Sequence, residues 1–173
     1  MDQIKPSAEP LKALSQSEFH MVEAIAGRIM PTTDTPGAIE AGAAVYIDRA
    51  LAEAYGKHLN IYQLALAELD SHCLTTFGKN FIGLSAEQQD ETLNALESGS
   101  TTSVTGGQRF FNLVLDHVME GFFGEPQYGG NRDLIGWKLV GFPGQRYGYD
   151  DAYINKVIDL EPIACDVVPR KGN

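Results

Sequence analysis

Residues 121–150 have the sequence GFFGEPQYGGNRDLIGWKLVGFPGQRYGYD, which differs in character from the rest of the chain. The stretch combines glycines with phenylalanines, tyrosines and the chain's only tryptophan, and most of it lacks helical or strand periodicity. Glycine is favoured where φ is positive or two backbones come close. Long irregular loops are uncommon in compact domains and are usually functional. We therefore expect an ordered, irregular segment, either at a protein interface, where Trp, Tyr, Phe and Arg are enriched, or as a connector that covers the chain's own core.

The sequence before this stretch contains five amphipathic helical patterns. Ser15 and Glu18 have capping-box spacing, and apolar residues then recur at helical spacing until Pro31. Thr35 is the predicted N-cap of the second helix, with Pro36 at its first position, and Asn60 the predicted cap of the third. The last four predicted helices span about 37–55, 60–77, 85–98 and 108–122.

These patterns predict an all-α fold of about five helices, because short loops join them and almost no alternating strand pattern is present. We expect one domain over residues 1–173, with these parts in chain order: a flexible lead (1–15), a helical core (16–122), an irregular segment (123–150) and an extended tail (151–173). Within the irregular segment, residues 131–140 have the pattern of one or two helical turns capped by Asn131.

The charge balance excludes several classes of partner. The chain has 13 Lys and Arg against 23 Asp and Glu, a net charge of −10. Non-specific binding to nucleic acid or to anionic membranes needs a basic surface. No apolar run approaches the roughly 20 residues of a membrane-spanning helix, and residues 1–16 lack the features of a secretory signal. We therefore expect no nucleic-acid partner and no membrane span.

The sequence shows no catalytic motif. It lacks a c-type haem motif, a dinucleotide fingerprint, a phosphate-binding loop and a nucleophile elbow. His117 and Glu120 share a helical face, but the repeated Glu-x-x-His of di-iron bundles is missing. The residues 129–132, GGNR, are a weak anion-binding pattern. We predict a protein that is not an enzyme by itself. Two alternatives remain, a small enzyme that uses His117 and Glu120, and a stand-alone helical ligand- or metal-binding protein in which residues 121–150 close a pocket.

Two stretches resemble a known family. The residues 120–144, EGFFGEPQYGGNRDLIGWKLVGFPG, and 29–51, IMPTTDTPGAIEAGAAVYIDRAL, are similar to the gluconate 2-dehydrogenase subunit 3 family, and the resemblance covers roughly residues 18–145. Its members are small subunits of bacterial, membrane-associated, flavin-dependent sugar and sugar-acid dehydrogenases, including the glucose dehydrogenase type. The resemblance therefore implies a chain that works within a complex.

The resemblance also implies which function each subunit has in that complex. A catalytic subunit of the glucose–methanol–choline oxidoreductase type carries FAD and, in the glucose type, an iron–sulfur cluster. A multi-haem cytochrome c passes the electrons on. The small subunit carries no cofactor and no catalytic residue, and a twin-arginine signal on it escorts the folded flavoprotein to the periplasm. That signal is missing from the present sequence, so the export role is expected for a precursor.

We predict that the irregular segment contacts the partner subunit. Trp137, Phe142 and Pro143 are expected to anchor it, either against the partner or against the first and fifth helices. The predicted interface residues are Phe123, Tyr128, Gly129, Gly130, Asn131, Arg132, Trp137, Phe142, Pro143, Tyr147 and Tyr149.

The two cysteines are expected to differ. Cys73 lies on an apolar helical stripe and is predicted to be buried, whereas Cys165 lies between two prolines in the tail. An accessible thiol in an oxidising compartment tends to form a disulfide. Three states of Cys165 remain open: a bridge to Cys73, an inter-subunit disulfide to a partner cysteine, or a free thiol.

Overall fold

A computed structural model describes residues 10–144 and 161–164, and over these residues the chain folds into seven α-helices without a β-strand. The prediction of an all-α fold is thereby confirmed. The helices are α1 (Gln16–Ile29), α2 (Ala38–Ala41), α3 (Ala43–Ala52), α4 (Leu59–Phe77), α5 (Ala86–Glu97), α6 (Gly107–Phe123) and α7 (Ile135–Val140). Short 3-10 turns lie at Gly56–His58, Phe81–Gly83, Pro126–Tyr128 and Arg132–Leu134. Apart from 161–164, the predicted tail lies outside the described residues.

The core is built around α6. Phe110, Val114, Val118 and Phe122 recur at helical spacing on α6 and are almost completely buried. Helices α3 and α5 pack most extensively against it, and α1 and α4 supply further buried side chains to the core. Its last turn leads directly into the glycine-rich stretch, so α6 positions the described residues that follow it, up to Gly144.

Side-chain caps explain where two helices begin. Ser15 caps α1 and Ser85 caps α5, each in a capping box with the residue three positions later, as predicted for both. The prediction for Asn60 is wrong, because α4 begins at Leu59 with His58 at the N-cap and without a side-chain cap. The 3-10 turn at Gly56–His58 runs directly into α4, so the helix needs no separate starting signal.

The predicted helix over residues 37–55 is interrupted at Gly42, which ends α2 with a φ of 74°. A Cβ at this position would lie 2.7 Å from Nε of Arg132, so the glycine leaves room for a side chain from the glycine-rich stretch. The predicted N-cap at Thr35 is also wrong, because Gly37 is the N-cap of α2. An alanine-rich sequence gives no local sign of such a break, since its cause lies far away in the chain.

The end of the predicted flexible lead is held in place. The backbone N–H groups of Lys12, Ala13 and Leu14 donate to the carboxylate of Asp48 on α3, at 2.7–3.0 Å. The side chain of Leu14 is buried in the core. Residues 10–15 therefore differ from the prediction, because the buried carboxylate of Asp48 needs hydrogen-bond donors and the lead supplies them.

In the part of the chain that the structure describes, none of the helices combines the length and the hydropathy that crossing a bilayer requires.

Candidate functional site

Residues 124–144, which follow α6, are called the glycine-rich segment here. The segment forms two 3-10 turns and then α7, so it is more helical than predicted. Asn131, Asp133 and Leu134 have φ values of 45°, 53° and 58°. Residues in the left-handed conformation interrupt a right-handed helix, and here three of them lie within four positions. The sequence therefore shows no 3.6-residue period although most of it is folded into turns.

Asn131 connects the segment to α6. Its backbone N–H donates to the carbonyl of Gly121 at 2.8 Å, and its side-chain amide donates to the carbonyl of Gly124 at 2.8 Å. Its Oδ1 accepts from the N–H of Gly136 in α7 at 2.9 Å. The residue is fully buried. As predicted for the helical turns over residues 131–140, Asn131 is the N-cap residue of the 3-10 turn Arg132–Leu134, but its side chain does not cap that turn. The side chain instead ties the end of α6 to the first turn of α7.

Two glycines let the segment lie directly on the backbone of α6. A Cβ at Gly130 would overlap the carbonyl oxygen of Gly121, and one at Gly136 would overlap that of Phe122. No residue with a side chain fits either position without moving the backbone. The glycine content that marked this stretch thus serves close backbone contact at these two positions.

Trp137 anchors α7 against the end of α6. The indole is only 3% exposed, its Nε1 donates to the carbonyl of Phe123 at 2.7 Å, and its ring meets that of Phe142 edge-on with centroids 4.9 Å apart. The sequence left open whether Trp137 is anchored against the partner or against this chain's own helices. The structure shows it anchored within the chain, at the end of α6. Almost none of the indole remains available for a partner.

Around this anchor, large apolar side chains remain exposed. The apolar rim consists of Leu139, Val140, Phe142 and Ile163, which are 46%, 58%, 43% and 49% exposed. Phe142 and Val140 border a shallow depression of about 570 Å³ whose floor includes Trp137. Ile163 joins the rim because its N–H donates to the carbonyl of Pro143 at 3.2 Å.

The predicted interface residues occupy several environments. Tyr128, Arg132 and Phe142 are exposed, Phe123, Gly129 and Pro143 are partly buried, and Gly130, Asn131 and Trp137 are buried. Tyr147, Tyr149 and Cys165 lie outside the described residues. Leu139, Val140 and Ile163 were not singled out from the sequence, since which apolar side chains remain uncovered depends on how α7 docks.

His117 and Glu120 have separate partners. Nδ1 of His117 lies 2.9 Å from the hydroxyl of Tyr62, and the imidazole stacks on the ring of Tyr55 with centroids 4.6 Å apart. Burial lowers the pKa of His117. Glu120 instead accepts hydrogen bonds from Tyr46 at 2.7 Å and from Tyr55 at 3.1 Å. Both residues thus take part in packing α3 and α4 against α6, which the sequence could not show because their partners lie 55 or more residues away.

The metal-binding alternative and the weak anion-binding pattern find little support in the described residues. Over residues 10–144 and 161–164, no three His, Cys, Asp or Glu side chains converge as metal ligands would. In the weak anion pattern at 129–132, the side chain of Arg132 packs on Gly42, and Gly129 lies against the side chain of Arg49. These residues lead into the 3-10 turn Arg132–Leu134, which is only three residues long. So short a turn does not offer the row of free backbone N–H groups found at the start of a longer helix.

Cys73 is a free thiol in the core. Burial is the main cause that raises its pKa to about 11, and the neighbouring Asp70 carboxylate adds to the rise. Cys165 lies outside the described residues, so its three states stay predictions.

The fold and the site define a small all-α protein whose last long helix carries a tightly docked, apolar-rimmed segment. A family model described as Gluconate 2-dehydrogenase subunit 3 matches residues 16–144, most of the chain, so the protein belongs to that family and the resemblance is confirmed. The family description makes its members subunits of a dehydrogenase. Searches of curated proteins and of solved structures gave no match.

Proposed function

We propose that this chain is the non-catalytic small subunit of a periplasmic, membrane-associated, FAD-dependent sugar or sugar-acid dehydrogenase. In this role it stabilises the flavoprotein subunit and escorts it through the twin-arginine pathway. FAD and, in the glucose type, an iron–sulfur cluster belong to a partner of the glucose–methanol–choline oxidoreductase type, and a multi-haem cytochrome c completes the complex. Family membership supports the assignment to a dehydrogenase complex.

The apolar rim is the observation that carries the proposal. Three large apolar side chains lie on the glycine-rich segment, and a fourth, that of Ile163, lies beside it through the backbone hydrogen bond to Pro143; each of the four is more than two-fifths exposed. Contiguous apolar surface on a soluble protein commonly marks a site of protein association. The bonds of Asn131 and Trp137 already fix the backbone beneath the rim. A preorganised surface loses less conformational entropy on binding, so the rim is suited to a stable interface.

The escort role follows from the order of events that a flavoprotein requires. A protein that binds FAD in the cytoplasm has to fold there, so it must use an export pathway that accepts folded proteins. A signal on one firmly bound subunit is then sufficient for both chains. Stable joint export needs an interface of the obligate type, commonly above about 2,000 Å² in total.

Co-expression and co-purification with a candidate flavoprotein subunit test the interface. We expect the double variant Leu139→Asp/Val140→Asp to weaken association by at least about 30-fold, since hot-spot losses reach 2 kcal/mol or more. The matched control is Leu64→Asp/Leu74→Asp on α4, whose leucines are 53% and 54% exposed. Retained binding in the rim variant, or loss in the control alone, would contradict the assignment of the rim.

Export is tested separately by expressing the flavoprotein with and without the precursor of this chain and measuring flavin-containing protein in the periplasm. We expect periplasmic flavoprotein only when both are present. An equal periplasmic yield without this chain would disprove the escort role while leaving the subunit role intact. A soluble monomer that never co-purifies with a flavoprotein would instead favour the stand-alone ligand-binding alternative.

A further inference from the structure

A pocket of about 380 Å³ lies between α3, the lead at Lys12 and the 3-10 turn at Pro126–Tyr128. Its volume is within the range of small-molecule sites, roughly 300–1,000 Å³. It is separate from the apolar rim. Asp48 holds the lead in place, and on the opposite side Gly129 allows the turn to lie on the side chain of Arg49. The pocket is therefore formed by three segments that the fold brings together.

The walls of this pocket are aromatic, and hydrogen bonds hold two of the three tyrosine rings in place. Tyr46, Tyr55 and Tyr128 line it, and the small side chains of Ala50 and Ala54 leave room between them. The hydroxyls of Tyr46 and Tyr55 both donate to Glu120, which holds the two rings in place. Fixed aromatic surfaces beside small residues suit a flat or apolar body, because they offer contact area at little entropic cost.

The pocket lining carries charged side chains of both signs. Lys12 and Arg49 line it together with a single carboxylate, Glu53. Nζ of Lys12 lies 3.6 Å from Oε1 of Glu53, in a pair whose side chains are 45% and 71% exposed. Exposed ion pairs of this kind contribute little to the free energy of unfolding. A guanidinium carries five N–H donors in a plane that matches a carboxylate, so Arg49 is able to hold a protein partner and a ligand together.

We propose that this pocket binds a small organic carboxylate with a ring-shaped or apolar body. The carboxylate lies at Lys12 and Arg49, and the body lies between the tyrosine rings. The inference goes beyond the proposed function, because the residues that carry it are outside the apolar rim. The proposal depends on three properties found at the same pocket: its aromatic walls, its volume and its two positively charged side chains.

Titration calorimetry on the full-length chain tests the class of ligand with 4-hydroxybenzoate, its neutral amide 4-hydroxybenzamide, and inorganic phosphate. We expect 4-hydroxybenzoate to bind, and the amide and phosphate each to bind at least about tenfold more weakly. Equal affinity for the amide would show that the positive charges do not contribute. Equal affinity for phosphate would reduce the site to a general anion patch. Either result, or no heat from 4-hydroxybenzoate at millimolar concentration, would overturn the proposal.

Two variants with matched controls place the binding in this pocket. Ala54→Phe fills it and Lys12→Gln removes a charge from its edge, so we expect at least about tenfold weaker binding from each. Ala52→Phe at the exposed end of α3 and Lys57→Gln in the following turn make the same changes outside the pocket and should bind normally. All four should still co-purify with the flavoprotein, so failure here is distinguishable from failure of the proposed function. Unchanged binding by Ala54→Phe would refute the location.

Discussion

The indole nitrogen of Trp137 lies 2.7 Å from the carbonyl oxygen of Phe123, the last residue of α6, and donates a hydrogen bond to it. The last carbonyls of a helix have no partner within the helix. A side chain fourteen residues further along the chain thus satisfies the end of α6. The same side chain forms the buried base of α7, so one residue fixes both the end of the long helix and the position of the apolar rim.

Replacement of Trp137 should separate its packing from its hydrogen bond. We expect Trp137→Ala to lower the free energy of unfolding by about 3–5 kcal/mol, since it empties a buried site. Trp137→Phe keeps much of the packing but leaves the carbonyl of Phe123 without its donor, at a cost of about 1–3 kcal/mol. Because the chain has only one tryptophan, urea unfolding has to be followed by circular dichroism. Equal stability of both variants and the parent would show that the indole does not hold α7.

Asn131 should be intolerant of change although it has no part in a catalytic motif. Asn131→Ala leaves the buried N–H of Gly136 and the carbonyl of Gly124 without partners, so we expect a loss of about 2–4 kcal/mol in the free energy of unfolding. Asp133→Asn is the matched control, because Asp133 also has a positive φ but is exposed. Exposed changes of this kind stay within about 0.5 kcal/mol. Similar effects of the two changes would contradict the inference that the hydrogen bonds of Asn131 hold the segment in place.

The buried His117 predicts how stability depends on pH. Burial lowers its pKa below the usual value near 6.5, while Glu120 and Asp116 act to raise it and His58 adds to the lowering. The unfolded chain then binds the proton more readily than the folded chain. The stability that comes from a neutral His117 is complete above about pH 6.5 and is lost as the pH falls towards the lowered pKa.

The contribution of His117 should disappear in His117→Asn. We expect a smaller decrease of unfolding free energy between about pH 7 and 5 than in the parent, with a difference of at most about 1.4 kcal/mol per pH unit. His20→Gln, a change at an exposed position of α1, serves as the control. If the asparagine variant and the parent show the same slope, His117 does not titrate as inferred.

The thiol of Cys73 should be unreactive in the folded protein. It is completely buried, and its pKa of about 11 leaves little thiolate at neutral pH. In Cys165→Ser, where Cys73 is the only cysteine left, we expect Ellman's reagent to react slowly with the native chain and completely in denaturant. Rapid reaction of the native variant would mean that α4 opens locally.

The inter-subunit disulfide of Cys165 stays a prediction, and electrophoresis of the complex with and without reductant tests it.

Much of the fold could be predicted because its causes are local. The serine caps of α1 and α5 and the apolar spacing of α6 are contained within a few residues, and the structure agrees with them. The break at Gly42 could not be predicted, because the side chain that requires it is Arg132, 90 positions later. The start of α4 was misplaced for a related reason, since the preceding turn takes the place of a cap.

The amino-acid composition located the glycine-rich segment, but it did not predict the contacts that the segment makes. Glycine and tryptophan marked the segment correctly as special, yet the sequence does not reveal that Gly130 and Gly136 face the backbone of α6. It also could not distinguish a buried Trp137 from one at an interface, since both are rich in apolar contacts. The pocket beside α3 had no signal at all, because it forms only when Lys12, α3 and Tyr128 come together.

The contact of Gly130 and Gly136 with the carbonyls of α6 has a consequence for the timing of assembly. The segment has nothing to dock on until the final turn of α6 has formed, so we expect α7 and the rim to take their places after that turn. On this expectation, the surface offered to a partner forms late in folding. In the proposed complex, a copy that has not finished folding presents no rim, so recognition by the flavoprotein would select completed copies before both chains leave the cytoplasm.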